Sequence, residues 1–451
     1  MQAWEAPFVP QLPEPNSGPV LIHDSATQQL ENSAPNATAS LYACGITPYD
    51  ATHIGHANTY VAFDLLYRAW LDAGKTVHFA QNITDVDDPL LERATATGVD
   101  WRELAASQIE LFREDMAALR VMPPQNWITV TEAMPQIIDA VTGLVKKGAS
   151  YFDPNDLPLS NTSSGILRQG ADARQSAESH NLGDSHDVYY DVATEPFFGT
   201  VSNLRHDEML QRFVGHGGDP ERPGKHNALD PILWRAHRPG EPEWDGGLIG
   251  IGRPGWHIGC TVIANQALGI DFDVTGGGKD LLFPHHEMSA SIARVLYNNG
   301  GPAGAKRFMH CGLISYQGEK MSKSLGNLVL VSKLREQGVD PMAIRLTLLS
   351  HHYRSDWEWT DAELAAATNR LATWRAAFAN TNNPSFCAAS VTNGDAESHK
   401  AVAEIRAALA NDLDAPKALD AVDNYCRQSG RDAESDKSVS AAIDALLGIK
   451  L

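Results

Sequence analysis

Two histidines and two lysines lie in short motifs that suit phosphate chemistry. His53 and His56 form the ends of "HIGH", directly after a predicted strand and at the start of a predicted helix. Such a helix start offers free N–H groups and the positive end of the helix dipole to a phosphate. Lys320 and Lys323 lie in "KMSKS", where two ammonium groups could hold a triphosphate. Alone, HIGH could be a polar helix cap and KMSKS could be a solvated basic loop. Together and in this order, the two motifs are a far more specific sign of phosphate chemistry than either one.

Three other residues are of the types that bind a soft metal ion. Cys44 ends the predicted strand before HIGH, Cys260 ends "GWHIGC", and His285 begins the histidine pair of "FPHHE". Thiolates and imidazole suit Zn²⁺. Taken singly, each of these residues could instead be a buried cysteine or a capping histidine.

The order of predicted elements indicates the scaffold that must position these motifs. "SLYACGITPYD" and "TVHFAQNIT" predict strands joined by a helix that stops at Gly74, which is a βαβ unit of a parallel sheet. A polar stretch over 155–191 predicts a long loop or insertion. Strands and helices then resume from "GWHIGC" to "RFMHCGLISYQ", and the sequence after 326 is Ala-rich and helical. We therefore predict an α/β fold, a Rossmann-like doubly wound parallel sheet split by an insertion and followed by a C-terminal helical bundle.

This scaffold divides into four predicted parts. They are the first half of the catalytic domain at 1–124, a connective insertion at 125–247, the second half with the KMSKS loop at 248–326, and the helical bundle at 327–451.

Composition limits the function classes. The 451 residues carry a formal net charge of −20, which disfavours nucleic acid as a partner unless a local basic patch exists. The sequence begins with neither a signal peptide nor a long apolar run, and its five cysteines are odd in number and scattered. We therefore expect a cytoplasmic protein with reduced thiols and no membrane partner.

HIGH and KMSKS, on either side of a split sheet, resemble the motifs of class I aminoacyl-tRNA synthetases. This resemblance implies activation of a carboxylic acid by ATP, with Mg²⁺, to give an acyl adenylate. His53, His56, Lys320 and Lys323 would be the catalytic residues, acting by positioning and charge stabilisation.

The motifs "CGIT", "GWHIGC" and "GGGKDLLFPHHE" resemble the zinc site of cysteinyl-tRNA synthetases. The resemblance implies one zinc ion per chain, held by Cys44, Cys260 and His285, with a cysteine substrate thiol at the open position. Ser289 occupies the place of the glutamate ligand of those synthetases.

A closer resemblance is to the family of L-cysteine:1D-myo-inosityl 2-amino-2-deoxy-α-D-glucopyranoside ligases of mycothiol biosynthesis. It is carried by "CGITPYDATHIGHANTYVAFDLLYRAWLDAG", "KMSKSLGNLVLVSKLR" and "GVDPMAIRLTLLSHHYRSDWEW", and by the Gly-Gly-Asp-Pro loop of "GHGGDP". It implies transfer of L-cysteine from its adenylate to the amine of glucosaminyl-inositol, with AMP and diphosphate as products. About 127 residues follow Ser324 (451 − 324), enough for a helical bundle and little more, so tRNA is not the expected acceptor. We expect a monomer.

The resemblance also implies a set of contacts to the adenylate. Those residues are Cys44, Gly45, Ile46, Thr47, Thr59, Asn82, Ile83, Thr84, Trp256, Gly278, Lys279, Asp280 and Ile314. Gly259 stands where these families carry glutamate, and Gly215–His216 stands where the ligases carry Glu-Arg, so the acceptor contacts and the general base stay open. Two alternatives stay open as well, namely a compact cysteinyl-tRNA synthetase and a non-catalytic zinc-binding module.

Overall fold

The computed structural model describes residues 1–153, 186–297, 303–321, 326–379, 394–429 and 431–451. Its strands are β1 (Leu21–Asp24), β2 (Gln29–Asn32), β3 (Thr38–Ala43), β4 (Thr76–Ile83), β5 (Asn126–Thr129), β6 (Ser150–Phe152), β7 (Val188–Tyr190), β8 (Ile232–Ala236), β9 (Trp244–Asp245), β10 (Ile251–Pro254), β11 (Asp271–Gly278), β12 (Gly304–Cys311), β13 (Ile314–Tyr316), β14 (Glu319–Lys320) and β15 (Trp357–Trp359). Its α-helices are α1 (Ile54–Asp72), α2 (Asp88–Thr97), α3 (Trp101–Ala118), α4 (Met134–Lys147), α5 (His206–Gly215), α6 (Trp256–Leu268), α7 (Glu287–Tyr297), α8 (Val331–Glu336), α9 (Pro341–Leu349), α10 (Asp361–Phe378), α11 (Gly394–Ala410), α12 (Ala415–Cys426) and α13 (Ala433–Ala442).

A five-stranded parallel sheet in the order β12-β11-β3-β4-β5 forms the centre of the fold. The chain winds from β3 toward β4 and β5 on one side, and returns after the second sheet to add β11 and β12 on the other. The carboxyl ends of β3 and β11 therefore meet at a topological switch point, where open α/β sheets bind ligands. This arrangement confirms the predicted fold class of a doubly wound sheet with C-terminal helices.

Helix α1 is buried along most of its length and lies against the central sheet. Close approach requires a glycine in β11, because a Cβ on Gly276 would lie 2.3 Å from the ring of Phe63. His53 is the N-cap residue of this helix, so the packing of α1 fixes the position of the HIGH motif relative to β3 and β11.

A second, antiparallel sheet in the order β6-β7-β8-β10-β9 is inserted between the two halves of the central sheet. Most of the polar stretch predicted as a loop at 155–191 lies outside the described residues, which resume at 186. At its end, Val188–Tyr190 is a strand that pairs with Ser150–Phe152. Three residues are too few for the alternating pattern of a strand to be recognised in the sequence. The predicted domain boundaries stay a prediction.

A buried ion cluster joins α1 to the C-terminal helices. The Asp64 carboxylate accepts from Arg68 Nε at 2.7 Å and from Arg345, and all three side chains are fully buried. Burial acts to raise the pKa of Asp64, but the two guanidinium groups outweigh it and hold this pKa below its usual range. Arg345 also donates to the carbonyl oxygens of Leu447 and Leu119 at 2.7 and 2.8 Å. The C-terminal helices are thereby held against the helix that begins at HIGH.

Within the described ranges, every helix is too short or too polar to cross a membrane.

Candidate active site and metal centre

A cavity of about 560 Å³ opens at the carboxyl ends of β3 and β11. His53 and His56 line it on one side, and Cys260 and His285 line it on another. Ten of the thirteen predicted adenylate contacts also line it, namely Cys44, Gly45, Ile46, Thr47, Thr59, Thr84, Trp256, Gly278, Asp280 and Ile314. The structure thus brings most of the predicted site residues together in one place.

The other three predicted contacts, Asn82, Ile83 and Lys279, do not line this cavity. Asn82 is buried behind Gly45, whose N–H donates to Asn82 Oδ1 at 2.8 Å. A Cβ on Gly45 would lie 1.6 Å from the Asn82 carbonyl oxygen, so only glycine fits at this end of β3. Ile83 is fully buried, and Lys279 forms an ion pair with Asp356 at 2.7 Å.

The two histidines of HIGH lie side by side at the start of α1. Their rings stack with centroids 3.8 Å apart and 27° between planes, and His53 Nδ1 accepts from the Gly55 N–H at 3.1 Å. The Ile54 N–H donates to the Val329 carbonyl oxygen at 2.9 Å, and the Val331 N–H donates to that of Thr52 at 3.0 Å. These bonds tie HIGH to the segment that follows KMSKS, although the two motifs are far apart in sequence.

The KMSKS segment begins at the edge of a small three-stranded sheet in the order β14-β13-β15. Lys320 ends β14, but its side chain is not described, and Lys323 lies in 322–325, outside the described residues. Met321 and Leu328, on either side of that gap, both line the cavity. The proposed roles of the two lysines stay predictions.

Cys44, Cys260 and His285 form a group of potential metal ligands. One ligand atom from each lies within 4.8 Å of the other two, and the residues are only 6%, 4% and 1% exposed. Tetrahedral zinc with thiolate and imidazole ligands requires separations of roughly 3.5–3.8 Å between ligand atoms, so a small adjustment suffices. Trp256, one turn before Cys260 on α6, stacks on His285 with ring centroids 4.6 Å apart and closes one side of the group.

The two thiols influence each other's protonation. A hydrogen bond from Cys44 holds the pKa of Cys260 well below its usual range despite burial, whereas the same hydrogen bond, together with burial, raises that of Cys44. Burial also lowers the pKa of His257 well below its usual value, so this ring is neutral. The Nδ1 atom of His257 lies 3.1 Å from His285 Nδ1 and can accept a hydrogen bond from a proton on that atom. In this tautomer of His285, the lone pair of Nε2 is available to a metal ion.

A chain of buried hydrogen bonds leads away from Cys44. His286 Nε2 lies 3.1 Å from Cys44 Sγ, His286 Nδ1 lies 2.7 Å from His310 Nε2, and His310 Nδ1 lies 2.7 Å from Ser25 Oγ. Burial lowers the pKa of His286 well below its usual value and that of His310 to about 3, so both rings are neutral. When Cys44 is a thiolate, a single direction of donation gives every hydrogen bond in the chain one donor and one acceptor. Ser25 donates to His310, His310 donates to His286, and His286 donates to the Cys44 sulfur.

We predict that His286→Phe weakens zinc binding about 10- to 100-fold, because the ring volume stays while the donor to the Cys44 thiolate is lost. Competition with a chromophoric zinc chelator measures the affinity. His78→Phe, on the exposed side of β4, is the matched control. Equal affinities of the two variants would contradict the role of the chain.

Two residues that follow the histidine pair, Glu287 and Ser289, form hydrogen bonds with backbone groups. The Ser289 hydroxyl, at the position of the expected fourth ligand, donates to the His257 carbonyl oxygen at 3.4 Å. Glu287 is fully buried, and its carboxylate accepts from the N–H groups of Gly199, Val201 and Ser202 at 2.8–3.0 Å. Glu287 therefore anchors the loop before α5, and the group of potential metal ligands consists of Cys44, Cys260 and His285 among the described residues.

Sequence reasoning did not find His257, His286 and His310 as members of one network. For His310, the sequence did contain a usable signal. His310 lies near the end of β12, opposite Gly277 in the neighbouring parallel strand β11, and the ends of parallel strands lie at the same sheet edge as Cys44. Tyr49, which also lines the cavity, lies on a loop and carried no such signal. His216 lines the cavity too, and the sequence marked it only as a departure from the ligase pattern.

Known proteins resemble this chain in sequence and in fold. A family model described as tRNA synthetases class I (C) catalytic domain matches residues 30–369. Over 100% of both chains, the sequence is 54% identical to an L-cysteine:1D-myo-inositol 2-amino-2-deoxy-α-D-glucopyranoside ligase of Xylanimonas cellulosilytica and 53% identical to that of Sanguibacter keddieii. The fold is similar to Mycobacterium tuberculosis methionyl-tRNA synthetase in complex with methionyl-adenylate, with a TM-score of 0.57, 15% identity, and coverage of 91% of this chain and 89% of that one.

Proposed function

Since this chain belongs to the class I synthetase superfamily and, within it, to the L-cysteine:1D-myo-inositol 2-amino-2-deoxy-α-D-glucopyranoside ligases, we propose that its cavity joins L-cysteine to that amino sugar in mycothiol biosynthesis. ATP drives the reaction, which releases AMP and diphosphate. One observation carries the assignment of the site: a thiol-and-imidazole metal group and the HIGH histidines line the same cavity.

Cysteine binds with its side chain toward Cys44, Cys260 and His285. These residues fit a zinc ion, which when bound would supply a Lewis acid that holds the substrate sulfur as thiolate. Serine lacks that sulfur, and the buried group then lacks a matching ligand, so the site discriminates strongly against it. Trp256 walls the small side-chain pocket beside His285.

In the activation step, a carboxylate oxygen of cysteine forms a bond to the α-phosphorus of ATP, and the bond from that phosphorus to the bridging oxygen breaks. The chain supplies no nucleophile. His53, His56 and the positive end of the α1 dipole stabilise charge on the phosphate oxygens, and Lys320 and Lys323 are proposed to hold the departing diphosphate. Mg²⁺ accompanies ATP as its counterion.

In the transfer step, the amine nitrogen of the sugar forms a bond to the carbonyl carbon of cysteinyl adenylate. The bond from that carbon to the phosphate oxygen breaks, AMP leaves with the electron pair, and the nitrogen loses a proton to the phosphate of AMP or to solvent. The product is an amide.

Two assays test this function. The enzyme should catalyse ATP–pyrophosphate exchange that depends on cysteine, and AMP release should increase with glucosaminyl-inositol but not with tRNA. Charging of tRNA together with no response to the amino sugar would favour a cysteinyl-tRNA synthetase instead. Absence of exchange would favour a zinc-binding module without catalysis.

We also propose that the enzyme acts as a monomer in the cytoplasm. The cysteines in the described part of the chain are free thiols, as a reducing compartment requires.

A further inference from the structure

A second cavity, of about 850 Å³, adjoins the first. The two share four lining residues, Thr47, Tyr49, His216 and Trp256. The shared wall lies beside the proposed zinc ligands, because Trp256 stacks on His285 with ring centroids 4.6 Å apart and on His216 with centroids 6.2 Å apart. A molecule in the second cavity would therefore reach the cysteine end of an adenylate in the first.

The lining of the second cavity suits a polar but nearly neutral molecule. It contains five carboxylates and five Lys or Arg side chains, so its formal charges balance. Most of the basic groups are paired: Arg235 and Arg253 with Asp88, and Arg222 with two buried aspartates. A polyanion such as the acceptor stem of a tRNA would meet little net positive charge here, whereas a polyol amine requires none.

The Asp87 carboxylate can accept more hydrogen bonds than it forms with the described residues. Among the described residues its one hydrogen bond is from the Asp88 N–H to Oδ1 at 2.9 Å, the N-cap of α2. Burial raises the pKa of Asp87 to about 6, which leaves it charged at neutral pH. Asp87 lines the second cavity together with Thr47 and Tyr49 of the shared wall. By contrast, Asp230 deeper in the lining accepts three hydrogen bonds already.

We propose that the second cavity is the acceptor subsite, in which the Asp87 carboxylate binds the amine-bearing sugar and directs it past the wall formed by Thr47 and Trp256 toward the adenylate. This inference rests on the proposed function, because it needs an amino-sugar acceptor. It assigns the acceptor contacts, which the sequence left open, to α2 and the loop after α5.

Asp87→Asn is the decisive variant, because asparagine keeps the N-cap oxygen while the charge is lost. A charge-assisted hydrogen bond to the sugar is worth about 10- to 100-fold in binding, so the KM for glucosaminyl-inositol should rise by that factor. Any change in the KM for cysteine or ATP in pyrophosphate exchange should be much smaller. Asp139→Asn, an exposed charge on α4, is the matched control and should leave all three values unchanged.

Gly215→Phe tests the subsite by steric exclusion. Gly215 lines the second cavity and not the first, and a Cβ there meets no atom within 4 Å, so the fold should tolerate the ring. Its acceptor KM should rise as well. Acceptor KM values of both variants that match the control would overturn the subsite while the function stands. A wild-type enzyme that exchanges pyrophosphate but forms no amide would overturn the proposed function, and the subsite with it.

Discussion

Replacement of Cys260 by alanine should abolish zinc binding and lower cysteine-dependent ATP–pyrophosphate exchange by about 10³-fold or more. Cys260 is the thiol whose pKa is held low, chiefly by the Cys44 hydrogen bond. Without it, only one thiol and one imidazole would remain, too few to hold zinc with an open position. Cysteine would lose its sulfur contact, and the preference for cysteine over serine should decrease together with the rate.

Zinc content by atomic absorption and exchange rates with cysteine and with serine measure these effects. Cys426→Ala, at the end of α12 and away from the cavity, is the matched control. Removal of zinc from the wild type by a chelator should reproduce the Cys260→Ala phenotype, and added zinc should restore only the wild type. A variant that keeps selectivity for cysteine over serine would refute the metal site.

The location of the site could be predicted from sequence because parallel strands impose it. Cys44 directly follows β3 and Gly278 ends β11, and the carboxyl ends of neighbouring parallel strands lie at one edge of the sheet. A helix that follows such a strand begins at the same edge, so HIGH, at the start of α1, lies there as well. The residue types then indicated phosphate and zinc chemistry without knowledge of any distance.

The remaining features depend on contacts that no local pattern encodes. The chain from Ser25 to Cys44 draws on four separate segments, and each of its members alone looks like an ordinary buried polar residue. Asn82 is buried and its amide oxygen accepts from the Gly45 N–H, a contact that no local pattern indicates, and its predicted contact to the adenylate stays a prediction. The second cavity is lined by residues of the inserted sheet, of the loop around His216 and of the start of α2, and short strands and loops do not reveal this arrangement.

His53→Asn should lower the kcat of ATP–pyrophosphate exchange by about 10²- to 10³-fold, the usual effect of removing one donor to developing transition-state charge. His53 serves two purposes, because its Nδ1 caps α1 through the Gly55 N–H and its ring faces the proposed phosphate position. Asparagine is a good N-cap and keeps the first of these. The melting temperature should therefore stay close to that of the wild type, and the loss should fall on catalysis.

The KM for cysteine should change little in this variant, because the zinc ligands and Trp256 bind the opposite end of the adenylate. His78→Asn, on the exposed side of β4, supplies the same chemical change away from the cavity. A kcat for His53→Asn equal to that of the control would show that His53 only caps the helix. A fall in kcat accompanied by an equal rise in the KM for cysteine would instead indicate that HIGH and the metal group are not independent ends of one site.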